Sequence, residues 1–276
     1  MNGQDYTLYH PYFPIKVSTN IKRDVALFKP DVILMWGDCT RPNAEPVREL
    51  GIPMALCFAG GSPEGETQRF FDHFFVESQS YKERFELLGC SVSTAFGTNT
   101  ELFTPLPAQQ KIFDVCFPAT YAGWKRHHIY AEATKDLRSV TAGYIISPDD
   151  SIIGWVQQTG SLALPHVDPQ VLRYLYAASK TCCITSLWTG GSQRTVLEAM
   201  AMNVPVIAMK DSDKTSEYVY EAGQGLVVDP DPEKIHQAIL ELREERVNTR
   251  EFVLEKWSEY KYADALERGL KQLIKS

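Results

Sequence analysis

Residues 181–209 read T-C-C-I-T-S-L-W-T-G-G-S-Q-R-T-V-L-E-A-M-A-M-N-V-P-V-I-A-M, and this stretch decides the fold class. Its two apolar runs, at 181–186 and 204–209, have the unbroken hydrophobicity of strands that are buried on both faces. Good helix formers lie between the runs, after a pair of glycines. A strand, a helix and a second strand in this order predict the βαβ unit of a parallel sheet.

Similar apolar runs recur along the whole chain. They are D-V-I-L-M-W-G from residue 31, M-A-L-C-F-A-G from 54, H-F-F-V-E-S from 73 and F-D-V-C-F from 113. Amphipathic helix candidates lie between the runs, at 79–89, 124–136, 169–179 and 231–246. This alternation predicts an α/β protein whose ligands bind beyond the carboxyl ends of its strands.

The stretch T-P-L-P-A-Q-Q-K at 104–111 interrupts the alternation with two prolines, which predicts a linker. We therefore expect two Rossmann-like domains facing a cleft, a short one at residues 1–107 and a second at 108–247. The tail, 248–276, is predicted to be helical throughout and to pack back onto the domains.

Composition excludes several classes of function. The net charge of −7 is shared between the domains: residues 1–107 carry 9 Lys and Arg against 13 Asp and Glu, and the remainder 19 against 22. Neither part forms a basic lobe for nucleic acid. The chain shows no signal peptide or transmembrane run, and its six cysteines form no C-x-x-C pair. We expect a cytoplasmic protein with neither a metal site nor a nucleic-acid partner.

Arg194 poses a question of charge, because it lies in the first turn of a predicted helix, where unpaired N–H groups already leave partial positive charge. A bound anion opposite the start of this helix would explain why an arginine is found there. Gly190 and Gly191 permit close backbone approach and Ser192 is a candidate N-cap, so the loop predicts a diphosphate site. The alternative is an ion pair with Glu198, four residues on, which would add only about a few tenths of a kcal/mol at a surface.

Four further stretches resemble one family in order and spacing. They are G-T-N-T-E-L-F-T-P from residue 97, L-R-Y-L-Y-A-A-S from 172, V-L-E-A-M-A-M-N-V-P-V-I from 196 and E-Y-V-Y-E-A-G-Q-G-L-V-V-D-P from 217. Together they resemble the retaining nucleotide-sugar glycosyltransferases of the GT-B fold, in the family 4 group and its spore-maturation-type relatives. The resemblance implies a GT-B-like architecture with a shortened first domain.

The resemblance also implies roles for residues of the second domain. Glu198 would accept the hydroxyls of the donor ribose, and the backbone at Arg194, Thr195 and Val196 would face its phosphates. Lys125 would bind phosphate, although K-R-H-H at 125–128 is also typical of a solvated helix start. His166 and Val167 would line the nucleobase, although a histidine beside a proline is also an ordinary loop residue.

Three positions depart from the family pattern. Gly190 replaces a glutamate that holds the sugar, Thr120 replaces an arginine five residues before Lys125, and C-F-A-G-G-S-P-E-G at 57–65 lacks a histidine. Thr120 is still expected to contact the donor. In the first domain, Asp38 and Glu64 are the candidates for an acceptor contact or base, with a solvated loop as the alternative for each.

The sequence thus predicts a metal-independent glycosyltransferase of glycan biosynthesis, which moves a sugar from a nucleoside diphosphate sugar to a hydroxyl acceptor. No cofactor is expected beyond the donor itself. Because of the three departures, two alternatives stay open: a catalytically idle nucleotide-sugar-binding relative, and a sugar-nucleotide epimerase.

Overall fold

The computed structural model describes residues 7–10, 13–16, 21–36, 41–58, 69–107, 110–145, 151–187 and 194–275. These residues form two α/β units, each built on a parallel sheet, after a short antiparallel hairpin of β1 (Thr7–His10) and β2 (Phe13–Lys16). The predicted fold class is confirmed.

The first sheet has four parallel strands in the order β3-β4-β5-β6. They are β3 (Ile33–Trp36), β4 (Met54–Cys57), β5 (His73–Val76) and β6 (Val92–Thr94), with helices α1 (Ile21–Phe28), α2 (Arg41–Arg48) and α3 (Gln79–Leu87). The run at 31–37 was predicted to be buried on both faces, but Leu34 and Trp36 are exposed because β3 is an edge strand.

The second sheet has six parallel strands in the order β12-β11-β10-β7-β8-β9. The strands are β7 (Phe113–Pro118), β8 (Ser139–Ala142), β9 (Leu162–Leu164), β10 (Ser179–Ile184), β11 (Val206–Met209) and β12 (Gly225–Val228). The helices are α4 (His127–Thr134), α5 (Ser151–Gln158), α6 (Pro169–Ala177), α7 (Arg194–Ala201), α8 (Asp213–Ala222) and α9 (Pro232–Leu242). The strand order reverses between β7 and β10, which is where doubly wound sheets open a crevice for ligands.

Local sequence explains where several of these helices begin. Asp168 and Asp231 accept hydrogen bonds from the first free N–H groups of α6 and α9, and each is followed by a proline at the first helical position. The cysteines Cys116, Cys182 and Cys183 are buried in the core under the second sheet, as small apolar residues.

The tail forms two helices rather than one. α10 (Arg250–Lys256) packs on the second domain, and α11 (Glu259–Lys275) crosses to the first sheet. The prediction of continuous helix is wrong at Trp257 and Ser258, where the Trp257 carbonyl accepts a hydrogen bond from Thr98 N at 2.9 Å. On the first sheet, Gly269 of α11 lies so close to Phe75 that a Cβ atom there would be 2.5 Å from the ring.

The two domains meet along α3 and α8. Lys214 Nζ lies 2.9 Å from Glu77 Oε1, and both side chains are buried. Glu217 accepts hydrogen bonds from the backbone N–H groups of Gln79 and Ser80, at 2.6 and 3.0 Å. Glu217, which belongs to α8 of the second domain, thereby caps the amino-terminal end of α3 in the first domain.

Candidate functional site

A cavity of about 600 Å³ lies between the domains, at the carboxyl ends of β7, β8 and β9. Its wall also includes the start of α7, the 97–103 segment and two residues of α11, Glu259 and Tyr262. Six residues predicted to bind the donor line it: Thr120, His166, Val167, Arg194, Thr195 and Glu198. A pocket at a reversal of strand order is the usual ligand site of such sheets.

Five other predicted site residues cannot be placed in this geometry. Asp38, Glu64, Gly190, Gly191 and Ser192 lie outside the described residues. The roles suggested for them stay predictions.

Arg194 occupies the first turn of α7, as the sequence predicts. Its guanidinium carbon lies 5.4 Å from the ring centroid of Phe96 and 5.9 Å from that of Trp36, which belongs to the first domain. Rings at this distance attract a cation and hold it in place. The Nε atom is buried without a hydrogen-bond partner, and no ion pair joins Arg194 to Glu198 within the described part of the chain. The predicted alternative, a surface pair between these two residues, is therefore wrong.

Glu198 is buried in the cavity wall, and its partner is Tyr176 rather than Arg194. The Tyr176 hydroxyl donates to Glu198 Oε2 at 2.9 Å. Burial raises the pKa of Glu198 to about 7, while the Tyr176 hydrogen bond and the charge of Arg194 act in the opposite direction. Near neutral pH this carboxyl is therefore poised between its two protonation states.

His166 stacks on Tyr144 on the far side of the cavity. The ring centroids are 3.7 Å apart and the planes differ by 11°. Tyr144 is exposed, and both residues line the cavity. The pair offers a flat aromatic surface against which a planar ring could lie. Tyr144 was missed because nothing in its local sequence distinguishes it from an ordinary loop tyrosine.

Gly143, between β8 and Tyr144, has no room for a side chain. A Cβ atom there would lie 1.9 Å from the carbonyl oxygen of Ala119. We expect Gly143→Ala to lower the free energy of unfolding by about 1–3 kcal/mol, because the backbone must move to relieve the clash. Urea denaturation measures the change. Gly123→Ala is the matched control, since nothing lies within 4 Å of a Cβ atom at that position; equal losses in both variants would contradict the prediction.

Lys125 does not line the cavity. The predicted helix at 124–136 begins later, at His127, because residues Gly123–Lys125 form a short 3-10 helix and Arg126 takes a left-handed conformation with φ of 52°. Lys125 is only 8% exposed, so the alternative of a solvated helix start is wrong. Burial, together with the charge of Lys214, lowers the pKa of Lys125 to about 8, and the charge of Glu77 raises it.

Val196 is also outside the cavity wall, because its side chain is fully buried in the core. Only its backbone N–H, in the first turn of α7, is left for the role that the resemblance implies.

Arg126 has a structural role that could not be predicted from the sequence. It forms a two-pronged ion pair with Asp211, with nitrogen–oxygen distances of 2.6 and 2.9 Å. Its Nε also donates to the carbonyl of Thr185 at 2.5 Å. A planar guanidinium is suited to such forked contacts. Arg126 thereby fastens together the segments that follow β7, β10 and β11.

Neither a metal-binding cluster nor a membrane-spanning helix is found among the described residues. No group of three or more His, Cys, Asp or Glu side chains in the described ranges is placed to hold a metal ion. None of the helices seen there is at once long enough and apolar enough to cross a membrane.

Solved structures share the architecture. Sucrose-phosphate synthase from Thermosynechococcus elongatus superposes with a TM-score of 0.76 at 18% identity, over 92% of this chain and 76% of that one. HepE from Anabaena, solved with UDP and glucose, superposes with a TM-score of 0.71 at 16% identity, over 91% of this chain and 80% of that one. A glycosyltransferase from Rickettsia africae superposes with a TM-score of 0.75 at 14% identity, over 96% of this chain and 85% of that one. The fold is therefore that of the GT-B glycosyltransferases.

A family model matches part of the sequence. Residues 114–245, which include α7, match the model of the family described as Glycosyl transferases group 1. No curated protein matches the sequence significantly. The resemblance to GT-B glycosyltransferases and the predicted nucleotide-sugar glycosyl transfer are confirmed at the level of the family.

Proposed function

We propose that the chain binds a nucleoside diphosphate sugar in the cavity between its domains and transfers the sugar to a hydroxyl acceptor without a metal ion. The observation that carries the proposal is the start of α7. There, free N–H groups, the Arg194 guanidinium and the Glu198 carboxyl converge on a cavity of about 600 Å³. Such a helix start favours an anion.

The diphosphate is assigned to the start of α7. Departure of the nucleotide leaves negative charge on its terminal phosphate, and fixed positive groups lower the barrier by stabilising that charge. Arg194 lines the same cavity as Thr120, so it replaces, from another direction, the arginine that the family has at position 120. Lys125 adds a second positive charge from behind the cavity wall. With these groups in place, we propose that activity withstands EDTA.

The ribose is assigned to Glu198. A carboxylate can accept hydrogen bonds from both ribose hydroxyls, and Tyr176 fixes its orientation by donating to Oε2. The stacked pair of His166 and Tyr144 then lies where it can contact the nucleobase. The retention of anomeric configuration and the acceptor roles of Asp38 and Glu64 are proposed from the family resemblance and from the sequence alone.

Binding and turnover with a panel of donors test the proposal. HepE was solved with UDP-glucose and the pneumococcal enzyme GtfA with UDP and GlcNAc, so UDP-glucose and UDP-GlcNAc come first, followed by GDP- and ADP-sugars. We expect calorimetry to show binding of one donor, and transfer to saccharide or other hydroxyl acceptors to release its nucleotide. Binding without turnover would favour the idle relative, and a changed sugar without acceptor would reveal an epimerase. Absence of binding by every donor would refute the proposal.

The protonation of Glu198 predicts a pH dependence of donor binding. Ribose hydroxyls favour the ionised carboxyl, and the pKa of Glu198 is raised to about 7. Affinity for the preferred nucleotide sugar should therefore rise roughly five- to tenfold between about pH 6 and 7.5, as the carboxyl loses its proton. Nucleotide sugars have no phosphate group that titrates in this range, unlike free nucleoside diphosphates. Calorimetry across the range measures the effect, and the rise should vanish in Glu198→Gln; a flat wild-type profile would contradict it.

A further inference from the structure

Two aromatic side chains on the first-domain side of the cleft meet beside Arg194. Trp36 is the last residue of β3, and Tyr262 lies in the first turn of α11, which packs on the first sheet. Their ring centroids are 6.3 Å apart and the planes differ by 76°. The pair forms an aromatic corner, with its rings in the edge-to-face arrangement that aromatic side chains favour.

Tyr262 is the side of the aromatic corner that belongs to the cavity wall. Its hydroxyl lies 3.8 Å from Cys57 Sγ at the end of β4. Gly97 allows α11 to begin close by, because a Cβ atom at Gly97 would lie 3.0 Å from Tyr262 Cβ and 2.8 Å from the Ser258 carbonyl oxygen. A ring that is already held in place loses little conformational freedom when a ligand packs against it.

Trp36 stands at the rim of the cavity and is 57% exposed. The Arg194 guanidinium carbon, which belongs to a residue of the cavity wall, lies 5.9 Å from its ring centroid. The position of Trp36 on an edge strand leaves it open to solvent but does not explain why so large an apolar side chain is there. Holding Arg194 does not require the exposure either, since the buried Phe96 ring contacts the same guanidinium from 5.4 Å.

A hydrogen-bonding side chain accompanies the aromatic corner. Asn99 lines the same cavity and is exposed. Its Oδ1 accepts a hydrogen bond from Leu102 N at 2.8 Å, which orients the amide while its nitrogen can still donate to a ligand. An aromatic face beside an amide suits a pyranose ring. The C–H groups on the face of such a ring are attracted to an electron-rich aromatic face, and its hydroxyls need hydrogen-bond partners.

We propose that the aromatic corner is the acceptor subsite, and that the acceptor is a saccharide whose pyranose ring stacks on Trp36. The inference rests on the proposed function, because it names the substrate class for the second half of the same cleft. The corner is continuous with the assigned diphosphate site, since Trp36 contacts Arg194 and Tyr262 lines the cavity. It packs with the first sheet, whereas the groups assigned to the donor belong to the second domain, so a sugar on Trp36 faces the donor across the cleft.

Acceptor kinetics test the substrate class. The saccharides are methyl glycosides of glucose, galactose and N-acetylglucosamine, and disaccharides that end in these sugars; glycerol and a serine peptide offer hydroxyls without a pyranose ring. We expect transfer to at least one saccharide. Trp36→Leu should raise KM for that saccharide roughly tenfold, because leucine keeps the apolar character but loses the flat ring, and Trp36→Phe should lie between.

Trp155→Leu is the matched control for these kinetics. Trp155 is 38% exposed, stacks on His128 and belongs to α5 of the second domain, so its loss should leave KM for the acceptor as in wild type. Transfer to glycerol or the peptide alone would overturn the proposal, as would an equal KM in Trp36→Leu and wild type.

The transferred sugar of the donor is a second pyranose that can reach the aromatic corner. Calorimetry with the preferred nucleotide sugar and with its free nucleotide distinguishes the two. Trp36→Leu should change both dissociation constants by the same factor, because any effect through Arg194 acts on the diphosphate that the two ligands share. A loss of affinity for the nucleotide sugar alone would place the donor sugar on Trp36 and overturn the acceptor assignment.

Saturation-transfer NMR of the methyl glycosides, with and without UDP, separates this inference from the proposed function. Saturation of the protein should reach the C–H hydrogens on one face of the pyranose ring more than those on the other, and Trp36→Leu should remove the difference. If this pattern appears while no nucleotide sugar binds, the saccharide subsite stands and the transferase function fails. If it is absent from a protein that binds and turns over a donor, the function stands and the saccharide subsite is refuted.

Discussion

Replacing Arg194 by methionine is expected to weaken binding of the preferred nucleotide sugar on the order of a hundredfold. Methionine keeps the length and apolar character of the stem but removes the charge that we propose to face the diphosphate. Truncating one partner of a desolvated charge pair commonly costs about 2–5 kcal/mol, of which about 2.7 kcal/mol corresponds to a hundredfold. Calorimetry at fixed pH and salt measures the loss.

Two further variants show whether the loss is specific. Arg138→Met removes one positive charge at the amino-terminal end of β8, away from the cavity, where Arg138 pairs with Asp114 at 3.4 Å, and should leave donor affinity unchanged. Arg194→Lys keeps the charge but loses the planar group that lies against Phe96 and Trp36, so its affinity should be intermediate. Equal dissociation constants for the Arg194→Met and Arg138→Met proteins would remove Arg194 from the donor site.

Glu198→Gln is expected to change affinity and stability in opposite directions. Loss of the charged acceptor for ribose should lower donor affinity on the order of ten- to a hundredfold at pH 8, since hydrogen bonds to charged groups contribute about 1.5–3 kcal/mol. Equal affinity in both proteins would refute the ribose assignment.

The stability change follows from the raised pKa. In the folded protein the pKa of Glu198 is about 7, against an ordinary value of 4.5, so the fold loses stability as pH rises from the lower value through the higher one. Glutamine carries no such penalty. At pH 8, Glu198→Gln should therefore gain up to about 3 kcal/mol in free energy of unfolding, and at pH 5 less than about 1 kcal/mol. Urea denaturation of both proteins at both pH values measures this difference. A lower free energy of unfolding for Glu198→Gln than for wild type at pH 8 would contradict the raised pKa.

Much of the architecture was predictable because the strands inside the sheets are short, apolar and regularly spaced. The runs at 54, 73, 113, 181 and 204 all became strands. The strands that escaped notice, such as β8 with S-V-T-A and β9 with L-A-L, are too short or too polar to stand out from their surroundings. The break in the tail at Trp257 depends on a contact with Thr98, which no local pattern encodes.

The candidate site was predictable to a similar degree and for a similar reason. Arg194, Thr195 and Glu198 share one helix, so their proximity follows from local sequence. The partners that set their chemistry come from elsewhere in the chain: Tyr176 for Glu198, and Trp36 and Phe96 for Arg194. Lys125 illustrates the limit, since its local sequence resembles a solvated turn, whereas the fold buries it and burial lowers its pKa to about 8.

The crossing of α11 to the first sheet has a consequence for the exchange of whole domains between relatives. The face of that sheet built from Ala55, Cys57 and Phe75 is covered by α11, with Gly269 pressed against the Phe75 ring. The first domain is therefore discontinuous in sequence, made from two pieces that enclose the second domain. A graft of residues 21–94 alone would carry its apolar face uncovered, so a working chimera must transplant 259–275 with it.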